Sequence, residues 1–436
     1  MNRYLYTASK GLMSAARMLA MRQFKSPLCI IKLGISVVVA LLLPFNELIA
    51  LTATPITADT IPASATTPYQ SPLLRRLRQQ PRNAIKFAIP PQFDYASLFF
   101  RGRAQVEVNQ QVGLIDQSGN FIIKPQFELF SNLLYFTEGL GLVEKDGIYG
   151  YIDKSGEMVI SRGFAVASGF SEGLAAVAIY DNGEYKYGYI NESGSFVIPP
   201  KFEQAFYFSE GVAAVRIGKK VGFINKTGKI VIPPQFDGAM EFHEGLAGIL
   251  NLDTGKAGYI DKTGKILFHV NFLPSAFSEG LAQAKIGKKY GFIDKTGKML
   301  IPAQFDWVDN FSQGRALVKI SNKYGYIDQY GKVIIPLKFD DLGQYFSIEG
   351  LAPASIGSKY GFINKSGSFI LKPQFEDAEN FSAGLAAVKI NGKWGYIDTK
   401  GDIVIAPQFE EADQFSEGLA AVKSAGKWGY IRHLLN

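Results

Sequence analysis

The feature that most constrains this chain is a motif close to Gly-aromatic-Ile-Asp/Asn, which recurs ten times after residue 84. Successive copies are 33 to 38 residues apart, and their glycines are Gly113, Gly150, Gly188, Gly222, Gly258, Gly291, Gly325, Gly361, Gly395 and Gly429. Such a period is the signature of a repeat protein, in which small units stabilise one another by stacking. The sequence therefore predicts an array rather than the two or three unrelated domains that 436 residues would otherwise suggest.

Each copy has the composition of short antiparallel strands. Runs of β-branched and aromatic residues alternate with Gly-, Asn- and Asp-containing turns, which predicts strands and hairpins rather than helices. In the Asp-x-x-Gly turn, the carboxylate is placed to cap backbone N–H groups, and the glycine accepts a positive φ. Pro407 is expected to end the third strand, and the spacing of Phe409, Ala412 and Phe415 predicts one 3₁₀ turn in the link to the next copy. We interpret Gly395 as a seat for an aromatic ring from a neighbouring unit.

Residues 392–395 and 426–429 both have the sequence Gly-Lys-Trp-Gly. This sequence resembles the signature of the bacterial WG (KWG) β-repeat family, and the resemblance extends over about residues 85–436. In the other copies the tryptophan is replaced by Tyr149, Tyr187, Tyr290, Tyr324, Tyr360, Val112, Val221 and Ala257. The resemblance implies a β-rich scaffold that mediates interactions, and it provides no catalytic residues to transfer.

The expected fold is all-β, a tandem array of about ten three-stranded antiparallel units. Residues 87–93 resemble a third strand without its first two, and the chain finishes at Ile431 with two strands that lack a third. These halves could join and close a propeller-like ring. We nevertheless expect an open superhelix, or solenoid, because ten blades would make a large ring and the repeat intervals vary.

The region before the array is different in kind. Residues 1–58 are predicted to be a leader, residues 59–84 a flexible linker, and residues 85–436 the repeat array. The apolar run Leu33–Phe45 is short for a membrane span and fits the core of a secretory signal, so we expect an exported protein, periplasmic, cell-surface or secreted. The alternative is anchoring in the inner membrane by residues 33–51, and the start could be Met1 or Met21.

The basic balance of the chain comes from this leader and linker. Ten of the 46 basic residues and two of the 39 acidic residues precede residue 85, so the array itself holds 36 and 37. Nucleic-acid binding requires a basic surface, and we therefore expect no nucleic-acid partner. A membrane contact is expected only through an uncleaved N-terminal segment.

Catalytic and metal-binding patterns are not recognisable in the sequence. The three histidines, His243, His269 and His433, occupy unrelated positions of the repeat, and each turn supplies a single carboxylate where calcium needs several oxygen ligands. The only cysteine, Cys29, precedes the apolar run, so a chain cleaved after that run could form no disulfide. We predict no enzyme activity, no metal site and no cofactor.

Aromatic side chains are the remaining candidates for binding. The link residue that follows Phe-Asp/Glu varies more than its surroundings, and Tyr95 and Trp307 are its aromatic members. We predict a binding site at Tyr95, Trp307, Trp394 and Trp428, although tyrosines such as Tyr396 are interpreted as packing residues. The expected function is a non-enzymatic scaffold that binds a protein partner, with binding of a cell-wall glycan as the alternative.

Overall fold

The computed structural model describes residues 86–128, 136–181, 183–252 and 254–433, all within one compact unit, Gln70–Asn436. The predicted leader and linker (residues 1–84) and the signal-like run at 33–45 lie outside the described residues. The described part contains strands, bridges and turns and no helix, hence none long and apolar enough to cross a membrane. The all-β prediction is confirmed.

The strands fall into ten sheets, here called blades. The first half of the chain contains β1 (Phe87–Phe93), β2 (Tyr95–Ala96), β3 (Arg103–Val108), β4 (Gln111–Asp116), β5 (Phe121–Phe127), β6 (Gly141–Lys145), β7 (Ile148–Ile152), β8 (Met158–Phe164), β9 (Val166–Ala167), β10 (Ala175–Asp181), β11 (Glu184–Ile190), β12 (Phe196–Phe202), β13 (Gln204–Ala205), β14 (Val212–Ile217), β15 (Lys220–Asn225), β16 (Ile230–Phe236), β17 (Gly238–Ala239), β18 (Ala247–Asn251), β19 (Lys256–Ile260) and β20 (Ile266–Val270). The second half contains β21 (Leu281–Ile286), β22 (Lys289–Asp294), β23 (Met299–Phe305), β24 (Trp307–Val308), β25 (Arg315–Ile320), β26 (Lys323–Asp328), β27 (Val333–Phe339), β28 (Asp341–Leu342), β29 (Leu351–Ile356), β30 (Lys359–Asn364), β31 (Phe369–Phe375), β32 (Asp377–Ala378), β33 (Leu385–Ile390), β34 (Lys393–Asp398), β35 (Ile403–Phe409), β36 (Glu411–Ala412), β37 (Leu419–Ser424) and β38 (Lys427–Arg432).

Blades 1 to 9 follow chain order, from β2–β5 to β32–β35, and blade 10 combines β36–β38 with β1. A complete blade has four antiparallel strands, which we name the link strand, the first strand, the second strand (with the Gly-aromatic motif) and the third strand. Blades 2 and 6 lack the link strand among the described residues. The prediction of three-stranded units is therefore wrong for the other eight blades.

The fourth strand comes from the link, where a 3₁₀ turn was expected. Glu411 and Ala412 instead pair with Lys423 and Val422 of the first strand. The backbone N–H of Glu410 donates to the Lys423 carbonyl at 2.9 Å, which extends the same ladder. A spacing of three residues between buried side chains fits both a helical turn and a short strand with a bend on each side, and pairing with the next sheet selects the strand.

The array is closed, so the expectation of an open superhelix is wrong and the alternative of a propeller-like ring is correct. β1, at the beginning of the repeat region, pairs antiparallel with β38, near its end, with Phe87 opposite Ile431 and Phe93 opposite Trp428. Variable repeat intervals do not prevent closure, because extra residues are accommodated at the ends of the strands. The 38-residue interval before Gly188, for example, contains the long β10–β11 hairpin, which ends in the pair Asp181–Glu184.

The hydrophobic core lies between adjacent blades. One buried cluster joins Tyr189 and Phe202 of blade 3 with Val215 and Ile224 of blade 4. The cluster at the closing point likewise joins residues of β1 and β38 with residues of blade 1. Every buried cluster among the described residues has members in two adjacent blades, so each blade depends on its neighbours, as expected for a repeat array.

The motif glycine is required by the blade's own backbone, and our interpretation of it as a seat for an aromatic ring is wrong. A Cβ added at Gly395 would lie 2.5 Å from the Ile405 carbonyl oxygen and 2.7 Å from the Pro407 nitrogen. The register shifts between Trp394 and Tyr396 at this point, which brings the third strand close to the second. Pro407 lies within β35 rather than ending it, since this strand is at the edge of its sheet.

Candidate functional site

The turns of each blade lie at the two opposite ends of its strands. We call the end with the hairpins between first and second strands, together with the acidic link residues, the hairpin face. We call the end with the Asp/Asn-x-x-Gly turns and the Phe-Ser-Glu-Gly corners the corner face. Both faces carry repeated polar residues, and their hydrogen bonds decide which of these residues remain available for binding.

On the corner face, the repeated glutamates connect neighbouring blades. The Glu417 carboxylate accepts hydrogen bonds from the backbone N–H groups of Arg101 and Gly102, at 2.6 and 2.7 Å, across the closing point of the ring. Equivalent bonds are made by Glu138, Glu172, Glu210, Glu244, Glu279 and Glu349. These carboxylates therefore hold neighbouring blades together, including the pair at which the ring closes.

Lysines of the corner face reinforce these contacts. Lys262 Nζ lies 3.1 Å from Glu210 Oε2, and Gly245 donates its backbone N–H to the same carboxylate. Burial alone would raise the pKa of Glu210, but the hydrogen bonds from Lys262 and Gly245 outweigh it and the pKa lies below its usual value. A carboxylate held in its charged form by two neighbours is a poor general acid.

The predicted turn chemistry is confirmed. Asp294 Oδ1 accepts hydrogen bonds from the Thr296 N–H at 2.9 Å, the Thr296 hydroxyl at 2.6 Å and the Lys298 N–H at 3.1 Å. The hydroxyl of Thr296 is the main cause that lowers the pKa of Asp294. Asn191 makes the same set of bonds without a charge. Within the ranges that the structure describes, no group of three or more His, Cys, Asp or Glu residues is placed to hold a metal ion.

On the hairpin face, the acidic link residue joins two blades. Asp306 contacts Lys289 Nζ of blade 6 at 2.7 Å and accepts the backbone N–H of Ser321, in the hairpin of blade 7, also at 2.7 Å. The lysine, followed by this N–H group, lowers the pKa of Asp306. Asp94 makes the equivalent bonds to Lys427 and Asn109, and thereby joins blade 10 to blade 1.

Tyr95 and Trp307 directly follow these two acidic residues. The two residues are 40% and 39% exposed. The Tyr95 ring packs edge-on against Trp428, with centroids 6.1 Å apart, and the Trp307 ring packs in the same way against Tyr324 at 6.3 Å. The Tyr95 ring thus packs against the second strand of the preceding blade, whereas the Trp307 ring packs against the second strand of its own blade.

The other two predicted site residues have little exposed surface. Trp394 and Trp428 are 8% and 7% exposed and belong to buried clusters between blades. Among these four residues the structure shows one ring contact, between Tyr95 and Trp428, and it places Trp307 in blade 7 and Trp394 in blade 9. Of the four predicted residues, Tyr95 and Trp307 are therefore the two with substantial exposed surface, and both lie on the hairpin face.

Two further aromatic residues of the hairpin face were missed. Tyr180 and Tyr185 lie at the tip of the long β10–β11 hairpin, both exposed, with ring centroids 5.0 Å apart. The 38-residue interval that this hairpin produces was visible in the sequence and could have indicated them.

The histidines have separate positions. His243 lies in the corner of blade 5, and His269 lies in β20 with Nδ1 3.3 Å from the Ala257 carbonyl oxygen. His433 is buried, and its Nε2 is 3.0 Å from the carbonyl oxygen of Ala383.

Solved structures with related shapes are only distantly similar. A eukaryotic initiation factor is 12% identical with a TM-score of 0.46, and the match covers 77% of this chain and 100% of that chain. Apo AztD from Citrobacter koseri is 15% identical with a TM-score of 0.27, over 63% of this chain and 85% of that chain. Kluyveromyces lactis Hsv2 is 8% identical with a TM-score of 0.28, over 51% and 94%. None of these scores reaches 0.5, and none supports a functional assignment.

Comparison with curated protein sequences gave no match. The family model described as WG containing repeat, in contrast, matches ten consecutive segments, residues 86–111, 113–147, 149–182, 187–220, 222–251, 258–290, 290–324, 324–360, 360–394 and 394–428. The chain therefore belongs to the WG containing repeat family.

Proposed function

We propose that this protein is a non-enzymatic scaffold, exported to the cell envelope or beyond it, which binds a protein partner through its hairpin face. The observation that carries the proposal is that Tyr95 and Trp307, the aromatic residues of the variable link position, are about two-fifths exposed, whereas the second-strand tryptophans Trp394 and Trp428 are buried. Tyr and Trp are enriched at the centres of protein interfaces, because they combine a large apolar surface with a polar atom.

The polar residues support a scaffold rather than an enzyme. The carboxylates repeated on both faces are engaged in turns or in bonds between blades, as Glu417, Asp294 and Asp306 show. These structural hydrogen bonds account for the recurrence of the carboxylates in successive repeats. The variable link position, in contrast, changes from blade to blade while the frame around it stays constant, which is what a binding surface requires.

Affinity capture tests this proposal. The full chain, immobilised and exposed to an envelope extract, is expected to retain a protein partner, and Trp307→Ala and Tyr95→Ala are each expected to reduce that retention at least about tenfold, as for a residue at the centre of an interface. Tyr330→Ala is the matched control, since Tyr330 is an exposed aromatic residue of the Asp328–Gly331 turn on the opposite face.

Three outcomes would contradict the proposal. Retention that is unchanged in both hairpin-face variants would place the binding surface elsewhere. Retention lost equally in Tyr330→Ala would indicate a non-specific aromatic contact. Co-sedimentation of the chain with insoluble peptidoglycan, lost in Trp307→Ala and with no protein retained, would assign the hairpin face to a cell-wall glycan instead.

A further inference from the structure

Charge is distributed unevenly around the hairpin face. In blades 4 and 6 to 10, the residues at the turn between first and second strands (216–220, 285–289, 319–323, 355–359, 389–393 and 423–427) include Lys or Arg and no Asp or Glu. Blade 5 has one residue of each sign, Asp253 and Lys256. The corresponding residues of blades 1 to 3 (107–111, 144–148 and 178–186) include five acids, Glu107, Glu144, Asp146, Asp181 and Glu184, and two lysines, Lys145 and Lys186. We call these last three hairpins the acidic sector.

The lysine that pairs with an acidic link residue elsewhere is missing from two blades of the acidic sector. The second strands of blades 4 to 10 all begin with lysine, and in blade 6 this residue, Lys289, contacts Asp306. The same position holds Gln111 in blade 1 and Ile148 in blade 2. The first two blades therefore lack a cation that the frame supplies in the later ones.

Blade 3 retains this lysine but opposes it with two carboxylates. Lys186 Nζ lies 2.8 Å from Glu184 and 3.6 Å from Glu203. At the tip of the same hairpin, Asp181 and Glu184 are paired across the strands, and both are exposed. One lysine among three carboxylates leaves this part of the acidic sector with a net negative charge.

The carboxylate of Glu107 is not neutralised by the fold. It accepts no hydrogen bond and makes no ion pair within the part of the chain that the structure describes. Its neighbour in the second strand is Val112, whereas the equivalent Glu144 lies opposite Tyr149 and accepts a hydrogen bond from the tyrosine hydroxyl. Burial, followed by the negative charge of Asp94, raises the pKa of Glu107. A cation beside Glu107 would offset both effects.

Exposed tyrosines accompany these acids. Tyr95 lies directly opposite Glu107 in the ladder between link and first strands, so the two side chains start from the same face of the sheet. Tyr180 and Tyr185 flank the pair Asp181–Glu184 and are 62% and 48% exposed. Tyrosine rings attract cations over their faces, and guanidinium groups also stack on them. Acids beside tyrosines therefore suit arginine and lysine side chains.

The arrangement of the acids favours an extended ligand over a single metal ion. A divalent cation needs several oxygen ligands around one point. Over the described ranges, no three of these carboxylates are placed to hold one ion. The three hairpins instead belong to consecutive blades, joined by buried clusters between blades 1 and 2 and between blades 2 and 3. Negative charges spaced along neighbouring blades match a peptide with positive charges at intervals.

We infer that the acidic sector binds a basic, arginine-containing segment of the protein partner. The inference rests on the function proposed above and adds the chemistry of the partner to it. Arg or Lys side chains of the segment lie against Glu107 and Tyr95 in blade 1 and against the tip of the β10–β11 hairpin in blade 3. Complementary charge acts mainly on specificity and on the rate of association. The acidic sector therefore selects the partner.

Fluorescence anisotropy of a labelled peptide of alternating Arg and Gly residues, titrated with the full chain, tests this inference. The chain is expected to bind the peptide, less tightly as salt is raised, because salt screens exposed charges. A peptide with Glu in place of Arg should not bind. The double variant Glu107→Gln, Glu184→Gln should raise the dissociation constant at least about threefold, since exposed charge pairs each contribute modestly. Tyr185→Ala should raise it about two- to fivefold.

The matched control is the double variant Glu157→Gln, Glu192→Gln. Both residues are exposed at the Asp/Asn-x-x-Gly turns of blades 2 and 3, on the corner face, so the net charge changes equally while the acidic sector stays intact. Its dissociation constant should equal that of the wild type. Replacing the chain's own arginines Arg75, Arg76 and Arg78 by Gln should also change nothing. Tighter peptide binding by that variant would show that the chain's own segment occupies the acidic sector, and would overturn the inference.

Absence of binding to the Arg-Gly peptide overturns the inference, and so does binding that both double variants weaken equally. The capture experiment separates this inference from the proposed function. If Glu107→Gln, Glu184→Gln retains a captured partner as well as the wild type while Trp307→Ala loses it, the scaffold function stands and the role of the acidic sector is refuted. Conversely, peptide binding that only the acidic-sector variants weaken supports the inference, whatever capture through Trp307 shows.

Discussion

The hydroxyl of Tyr430 donates a hydrogen bond to the backbone carbonyl oxygen of Ser97, 2.8 Å away, across the point where the ring closes. The same bond joins neighbouring blades inside the chain, from Tyr396 to Asp413 and from Tyr189 to Phe206, each at 2.7 Å. In those cases the partners are 17 residues apart, whereas Tyr430 and Ser97 are 333 apart. The closing contact thus repeats the ordinary contact between blades.

Replacing Tyr430 by Phe should therefore lower the free energy of unfolding as much as the same replacement at a contact between two blades that are consecutive in the chain. Removing the hydroxyl leaves the Ser97 carbonyl without this donor, so the free energy of unfolding should fall by about 0.5–1.5 kcal/mol. Tyr189→Phe, the matched control, should cost the same within error. Urea denaturation of both variants measures the difference. A loss several times larger for Tyr430→Phe would show that the closing blade is weaker than the others.

The motif glycine gives a second prediction. Gly395→Ala forces a Cβ to within 2.5 Å of the Ile405 carbonyl oxygen, and backbone atoms cannot rotate away as a side chain can. We expect a loss of about 3 kcal/mol or more, the upper end of overpacking costs. Gly392→Ala is the control, because its Cβ would meet nothing within 4 Å and the change carries only the strain of a positive φ. That strain is about 1–2 kcal/mol.

Thermal denaturation and urea titration compare these two glycine variants. Equal losses of stability in Gly395→Ala and Gly392→Ala would mean that the close approach of the third strand is not the reason for glycine at position 395. In that case the structural account of the motif would be incorrect.

The strands and turns were predictable from the sequence because their determinants are local. The close approach of the third strand to the motif glycine was not predictable. Asp294 caps its own turn through atoms two and four residues away, so residue order specifies the contact. The backbone atoms that approach Gly395 belong to a strand whose distance depends on a register shift, which residue order does not reveal. The pairing of β1 with β38 was visible as two complementary halves, but the variable repeat interval did not reveal that extra residues lie at the ends of strands, as in the β10–β11 hairpin.

Two of the four predicted site residues, Trp394 and Trp428, are buried, and the sequence did not indicate this. Alternation along a second strand separates exposed from buried residues only when one face of the sheet meets solvent. Here Trp394, Gly395, Tyr396 and Ile397 are all buried, because blades stack on both faces of the sheet. Trp394 is therefore buried by the neighbouring blades, whereas Trp307 is not, and the sequence motif does not show which positions the neighbouring blades cover.

The acidic link residues make stability depend on pH. Hydrogen bonds from Lys220, Lys289 and Lys323, followed by backbone N–H groups, lower the pKa values of Asp237, Asp306 and Asp340. A carboxyl group whose pKa is lower in the folded state stabilises the fold above its unfolded pKa, near 3.9 for Asp. That contribution is lost as the pH falls below this value and through the folded pKa.

We therefore expect the urea midpoint of the wild type to fall as the pH drops below about 4 and through the lowered folded pKa values, where these paired carboxylates become protonated. The triple variant Asp237→Asn, Asp306→Asn, Asp340→Asn should be less stable at pH 7 and should show a shallower decrease over the same range. An equally steep decrease in the triple variant would assign the acid sensitivity to other groups.

The two kinds of tryptophan give the last prediction. Trp394 is 8% exposed within an inter-blade cluster, so Trp394→Ala should remove about 3–5 kcal/mol of stability. Trp307 is 39% exposed and contacts Tyr324 at one ring edge, so Trp307→Ala should cost about 0.5–1.5 kcal/mol, the value of one aromatic pair. Urea denaturation measures both losses, and the capture experiment measures binding by Trp307→Ala. A loss of stability as large as that of Trp394→Ala would make Trp307 a packing residue rather than a binding residue of the hairpin face.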